Sequence, residues 1–359
     1  MKLLTSYIIK KCLINTTLIL ISLIFVFSIF SLLGQIDSLG KEDFNMISLI
    51  FYTVLQVPNS IYLLLPMSIL IGVMLALLSM VNYSEYAVIR TSGVSLFSIT
   101  KILFFFGLFF SIFLFVLGEF VVPRTNNYSN IYKKSKTHEI YYIQLHSGVW
   151  TKDGNNSFIN INQILPNSDI EKIKILKYNN KLQLILYIIA ESGKYDSINK
   201  YWILSNVYET LYTKDRIIYT KEKIRNWITS IDPKFFDVLI IDPDNMSIIN
   251  LMSYISKLKE LHQNNKKYII SFWEKIVYPF SCIGMALICV GFIPNNRRNI
   301  NLGSKLFAAV FIGVGYFFIN KLLSSLALLI NMNPLIIAIL PTFILFLFSI
   351  YLIISKNNI

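Results

Sequence analysis

Charge is scarce in this chain. Only 15% of its 359 residues are Asp, Glu, Lys or Arg and 55% are hydrophobic, whereas a soluble domain carries roughly 25% charged residues. That excludes a chain soluble throughout, and a 14% aromatic content excludes disorder. Cysteine is nearly absent. Cys12, Cys282 and Cys289 lie in or beside apolar stretches with no CxxC and no Cys/His cluster, so neither a zinc site nor a disulfide framework is expected, only buried thiols. His138, His146 and His262 have no metal-ligand spacing. No GxxxxGK[ST] loop, HExxH or GxSxG occurs, and Ser192-Gly193-Lys194 lacks the upstream glycine and a following Ser or Thr. No catalytic constellation, no metal and no cofactor is therefore expected, and nothing calls for nucleic acid. If this chain does energetic work, a partner supplies the power.

Long apolar runs are what it has instead. A bilayer core of about 30 Å needs about 20 apolar residues per helix. Such runs occur at Leu13–Leu33, Ile61–Val81, Leu96–Val122, Phe272–Ile293, Lys305–Ile330 and Pro334–Ile354. Met46–Val57 precedes the second, and Pro58 predicts a break or kink there. Pro123-Arg124 is expected to end the third. The fold class is membrane α-helical, six transmembrane helices in a 3+3 arrangement around a polar insertion. Orientation follows from Lys and Arg in short loops. A cytoplasmic N-terminus puts Lys2, Lys10, Lys11, Arg90, Lys101, Arg297, Arg298, Lys305 and Lys356 on that side against Lys41 opposite, nine to one. Both termini are then cytoplasmic, and the insertion lies across the membrane. The net charge of +13 accompanies heavy use of Lys, Ile and Asn throughout, and the position of the charges is more informative than their sum.

The insertion reads as β. Strand-like runs at Ile140–Thr151 and Ser157–Leu165 flank Lys152-Asp153-Gly154-Asn155-Asn156, a hairpin signal. Further runs follow at Lys172–Tyr178, Leu182–Ala190, Lys200–Leu211 and Arg216–Lys223, punctuated by Asn179-Asn180, Ser192-Gly193 and Lys214-Asp215. Short strands at this spacing point to a sandwich, jelly roll or open barrel. From Met246 to Leu261 the apolar Ile248, Leu251, Met252, Ile255, Leu258 and Leu261 recur at helical spacing. The expected division is 1–123 for spans one to three, with a short cytoplasmic helix at 83–93, 124–245 for the β domain, 246–271 for an amphipathic connecting helix, and 272–359 for spans four to six.

Two clusters carry candidate function. In the loop between spans two and three, Ser84 is expected to cap a short helix, Glu85 to favour its N-terminus and Gly93 to close it. With Glu85 and Arg90 exposed, that helix is a shape for a soluble partner to grip. The second cluster is a rim of ionisable groups near the opposite membrane face: Asp37 and Lys41 after span one, Glu119 in span three, Glu274 and Lys275 opening span four, and Lys321 within span five. Intramembrane charges default to function. Lys321 and Lys41 would face a cavity and pair with phosphate on an amphiphile, and Arg124, Lys133, Lys134 and Lys136 would extend that path. A solvated face and snorkelling lysines are the plainer alternatives.

These residues resemble the permease subunits of the lipopolysaccharide exporter, the LptF/LptG family, and its LptG branch rather than LptF. The likeness covers nearly the whole chain. It rests on the 3+3 spans around a β domain, the loop Ser84-Glu85…Ser92-Gly93, and the run Gly148-Val149-Trp150-Thr151-Lys152-Asp153-Gly154-Asn155-Asn156. Asp242-Pro243-Asp244-Asn245-Met246-Ser247-Ile248 and Phe272-Trp273-Glu274-Lys275-Ile276-Val277-Tyr278-Pro279 add to it. The resemblance implies a Gram-negative inner-membrane protein with a periplasmic β-jelly roll, paired with an LptF-like permease, an LptB-like ATPase dimer and an LptC-like bitopic protein. Lipopolysaccharide would enter from the outer leaflet and be driven toward the outer membrane, ATP hydrolysis being the partner's. Ser84, Glu85, Arg90, Ser92 and Gly93 would form the ATPase-coupling helix. One departure stands out: the family's lysine three residues before the Asp after span one is Gly34 here. A permease for another amphiphile such as lipoproteins, and a membrane sensor with a ligand-binding β domain, remain open on the residues alone.

Overall fold

The computed structural model describes residues 2–40, 43–136, 149–153, 156–164, 169–179, 183–197, 199–213, 216–229, 231, 243–260, 265–293, 302–329 and 333–357. The chain divides into two compact units, Met1–Lys133 with Lys266–Ile359, and Lys134–Asn265. The first is helical: α1 (Lys2–Leu33), α2 (Met46–Asn82), α3 (Glu85–Thr91), α4 (Leu96–Val116), a π-turn (Leu117–Val121) and α5 (Val122–Lys136). After the β unit and its helix α6 (Ile248–Glu260) come α7 (Lys266–Val277), α8 (Ser281–Gly291), α9 (Leu302–Leu329) and α10 (Pro334–Asn357). Among the described residues six stretches are long and apolar enough to span a membrane, three on each side of the insertion. This is a multi-pass membrane protein with an inserted β domain.

One expectation about proline is narrowed and another corrected. Of the break or kink expected at Pro58, the break does not occur, since α2 runs unbroken through Pro58 and Pro66. In lipid a broken helix would orphan several backbone groups, which costs more than the one bond a proline removes. The third span does not stop at Pro123 but continues to Lys136. Pro123 has no N–H to offer the carbonyls one turn back, and the π-turn just before it takes up the irregularity. Buried Glu119 sits in that turn.

Inside the helical unit α2 and α8 hold the centre. Ser281 through Val290 are all buried, and so are Cys12, Cys282 and Cys289, as inert apolar-packed thiols. α1 lies along α2, and at their crossing a Cβ on Gly72 would come within 2.5 Å of Thr16 Cα. Small residues permit such backbone approach between membrane helices. Tyrosines tie the spans together: Tyr278 donates to the Leu63 carbonyl at 2.8 Å, and Tyr316 shares a 3.1 Å hydrogen bond with Thr342. α1 is the least enclosed of the six spans and α9 the next.

The β unit contains an antiparallel meander in sequence order, β1 (Val149–Asp153), β2 (Ser157–Ile164), β3 (Ile170–Tyr178), β4 (Leu184–Asp196), β5 (Tyr201–Tyr212) and β6 (Ile217–Trp227). The first expected strand is described only from Val149, and the hairpin pair Gly154-Asn155 lies outside the described residues. Ser192-Gly193, expected to be a turn, is instead internal to β4. A Cβ at Gly193 would press on Ile170, Ile173 and Leu204 at 2.9–3.0 Å, so the glycine admits neighbouring side chains. The core gathers Ile159, Ile161, Ile173, Ile188, Trp202 and Val207 among others, with Trp202 Nε1 donating to the Ile231 carbonyl at 2.8 Å.

In β3, β4 and β5 the inward-outward alternation slips once. Glu171-Lys172, Glu191-Ser192 and Ser205-Asn206 are consecutive residues that both lie outside the core, and Lys172 and Asn206 adopt φ of 52° and 50°. The slips line up across the sheet, Asn206 donating to Glu191 at 2.6 Å, so pairing stays in register on both sides. On α6 the buried face is Leu251, Tyr254 and Leu258, while Met252, expected in the stripe, points outward. Leu261 lies outside the described residues.

Candidate functional site

α3 is a seven-residue helix held at both ends by backbone. Ser84 occupies the N-cap position at φ 62°, but its side chain makes no capping hydrogen bond, contrary to expectation; its carbonyl accepts from Val88 N–H at 3.2 Å. In the left-handed conformation the hydroxyl does not face the free N–H groups as an extended N-cap would. At the other end Gly93 has φ 84°, its N–H bonds to the Arg90 carbonyl at 3.1 Å, and Val94 N–H reaches the Ile89 carbonyl at 3.4 Å. That is a Schellman closure, with Ile89 and Val94 as the accompanying apolar pair. Ser92 donates to the Val88 carbonyl at 2.8 Å and Arg90 to the Val94 carbonyl at 3.1 Å. Tyr86 and Ile89 are buried in the helical core, whereas Tyr83 and Val88 are 72% and 63% exposed. One face is thus pinned and the other offers apolar surface.

Glu85, expected to be exposed, is partly enclosed against α1. Its Oε2 accepts from Tyr7 Oη at 2.9 Å and from Lys11 Nζ at 2.8 Å, both on α1. Burial by itself would raise the carboxyl, but the bonds from Lys11 and Tyr7 outweigh it and hold Glu85 below the ordinary carboxylate range. Tyr86 is shifted the opposite way, its phenol raised by burial.

The described rim residues occupy several different settings. Lys133 Nζ donates to Gln35 Oε1 at 2.5 Å and lies 5.7 Å from the Tyr52 ring centroid. Tyr52 Oη accepts from Gln56 at 2.6 Å, and Gln56 accepts from Ser31 at 3.3 Å. Lys133 therefore ties α5 to the ends of α1 and α2. Asp37 is exposed in a 3-10 turn, Arg124 is exposed on α5, Lys136 is half-buried at its end, and Lys321 is exposed on α9. Glu274 accepts from Ser324, linking α7 to α9. Lys41 and the Lys134 side chain lie outside what is described, as do His138, His146 and His262. No metal-ligand cluster occurs among the described residues.

Residues 6–355 match the family described as lipopolysaccharide export system permease LptF/LptG. The chain belongs to the LptF/LptG permease family. It is 26% identical over 355 residues to the lipopolysaccharide export system permease protein LptG of Escherichia coli K12, covering 99% of this chain and 98% of the relative. The LptG of Haemophilus influenzae is 26% identical over 339 residues, 94% of each chain. Within this permease the sequence located the helix α3, but it missed the contacts of Tyr7 and Lys11 with Glu85 and of Gln35 and Tyr52 with Lys133. The available signal was the four-residue spacing of Tyr7 and Lys11, which sets both on one face of α1.

Proposed function

We propose that this permease is the LptG-like half of an ATP-driven exporter that extracts lipopolysaccharide from the periplasmic leaflet of the inner membrane. Its partners are an LptF-like permease, an LptB-like ATPase dimer and an LptC-like bitopic protein, and both its termini are cytoplasmic. The observation that carries this reading is similarity to LptG proteins along nearly the whole length of both chains. Physical chemistry supports it. A lipid with several acyl chains needs an apolar cavity larger than six spans enclose, so a second permease is required, and α1 and α9 leave their apolar faces uncovered to meet one. Moving acyl chains through water costs about 0.8 kcal/mol per CH₂, hence an ATPase and a sheltered β path.

In this reading Ser84, Glu85, Arg90, Ser92 and Gly93 form the helix that docks on the ATPase. Asp37, Lys41, Lys321, Arg124, Lys133, Lys134 and Lys136 form the rim that meets the lipid phosphates. Replacing Lys41 and Lys321 together by Ala is expected to weaken crosslinking to lipopolysaccharide about thirty-fold, since each basic side chain near an anionic surface contributes about 1 kcal/mol and two are removed. Unchanged crosslinking would assign both lysines to snorkelling. Gly34 offers the converse test. Its N–H continues α1 to the Phe30 carbonyl at 2.9 Å, and among the described residues a Cβ there would meet only the Phe30 and Ser31 carbonyls at 3.4 and 3.7 Å. Gly34→Lys is therefore expected to fold normally and to retain several-fold more lipopolysaccharide on purification, about what one added cation gives; equal retention argues against a phosphate site at that turn.

The experiment for the whole reading is affinity purification of the tagged chain in mild detergent, with co-purifying proteins identified. A roughly stoichiometric ATPase and a second six-span chain support the exporter. Recovery of this chain alone, or with a kinase-like partner, overturns it.

A further inference from the structure

Glu85 receives both of its described hydrogen bonds on one oxygen. Tyr7 Oη and Lys11 Nζ converge on Oε2 at 2.9 and 2.8 Å, and Lys11 Nζ also approaches Tyr7 Oη at 3.5 Å and the Tyr83 ring centroid at 5.9 Å. Among the described residues Oε1 accepts no hydrogen bond. These contacts are not what folds α3, which is closed by its own backbone and anchored by Tyr86 and Ile89. Both charges are partly enclosed, the Lys11 and Glu85 side chains being 20% and 31% exposed. Pulling α3 away from α1 would strand each without its partner, and removing the partner of an enclosed charge is costly.

We propose that Tyr7 and Lys11 are a clasp that makes α1 travel with α3. The Glu85 carboxylate is shared: Oε2 belongs to the first span, and Oε1 is presented to a cationic or N–H donor of the ATPase. Displacement of α3 then reaches α1 directly, besides passing along the chain into α2 and α4. α1 is also the least enclosed span, so it has the most freedom to follow. The clasp rests on the reading of α3 as the ATPase-docking helix, and Tyr7 and Lys11 act through Glu85 as positioning residues.

The test uses the full chain purified with its co-assembled ATPase and reconstituted in vesicles containing lipopolysaccharide. Lys11→Met keeps the stem and removes the charge. It is expected to recover the ATPase normally while lipid released per ATP hydrolysed falls about ten-fold, within the range usual for coupled sites. Lys11→Arg keeps a charged donor and is expected to restore that ratio to within about two-fold of wild type. Tyr7→Phe, which removes a single hydroxyl, reads the same ratio should Lys11→Met fail to accumulate, and a several-fold fall is expected. A wild-type ratio in Lys11→Met or, where that variant does not accumulate, in Tyr7→Phe overturns the clasp. ATPase recovery lost in Lys11→Met as fully as in Glu85→Ala also overturns it, by confining Lys11 to placing Glu85 for docking. Full ATPase recovery by Glu85→Ala strikes at the docking reading instead.

Discussion

Glu85→Ala is expected to yield a folded, membrane-inserted chain that recovers little of its ATPase and transports almost nothing. The fold survives because α3 depends on the Schellman closure at Gly93 and on buried Tyr86 and Ile89, none of which involves the carboxylate. Association fails because the substitution removes the one acidic group on the helix that offers Tyr83 and Val88 to a partner. A charge-assisted bond lost from an interface costs about 2–5 kcal/mol, enough to empty most of the complex during purification. Co-purification in mild detergent reads this, and wild-type ATPase recovery would remove Glu85 from coupling. The pH dependence has a definite sign. Glu85 is held below its ordinary value, so its ion pair with Lys11 is fully formed at neutral pH and is lost only as pH falls through that depressed value. Coupling through it should be insensitive to pH across the neutral range.

Gly72→Leu is expected to destabilise the helical unit strongly. The nearest atoms to a Cβ at this position are Thr16 Cα at 2.5 Å and Thr16 N at 2.6 Å. These are backbone, and no rotamer change clears them. α1 must shift away from α2 along its length, at about 3 kcal/mol for overpacking of this severity. A thermal midpoint in detergent lowered by about 6–10 °C is the expected reading, with Gly72→Ala intermediate; a wild-type midpoint would mean that the helices part without cost. Thr16 is five residues from Lys11, so the same shift should loosen the contact with Glu85 and reduce ATPase recovery in the surviving protein.

Six spans were legible because a bilayer demands twenty apolar residues in a row, and few other structures produce such runs. α3 was legible from its termini, above all Gly93. What the sequence hid were partnerships across distance. Lys11 stands at the mouth of an apolar run, where it reads as a topology-setting charge, and its partner lies 74 residues away with no periodicity to connect them. Lys133 looked like one of several rim cations, yet one of its partners, Gln35, is a neutral side chain 98 residues earlier. The proline rules misled for a physical reason. They describe helices whose freed carbonyls water can take over, whereas α2 and the third span have every incentive to stay wound. Met252 entered the amphipathic stripe by spacing alone, and Tyr254 took that role because an aromatic ring with a polar tip packs as well as an aliphatic chain.

The aligned slips at Lys172, Glu191 and Asn206 make strand length a collective property of the β domain. Deleting Asn206 alone would return β5 to strict alternation while β3 and β4 kept their offset. Trp202 and Leu204, or else Val207, would then face away from the side their neighbours bury. Side chains of that size lose about 1.5–3 kcal/mol each on exposure. Insertions and deletions in this sheet are thus tolerated only as matched sets spanning adjacent strands, so grafting or shortening it means handling β3, β4 and β5 as one piece.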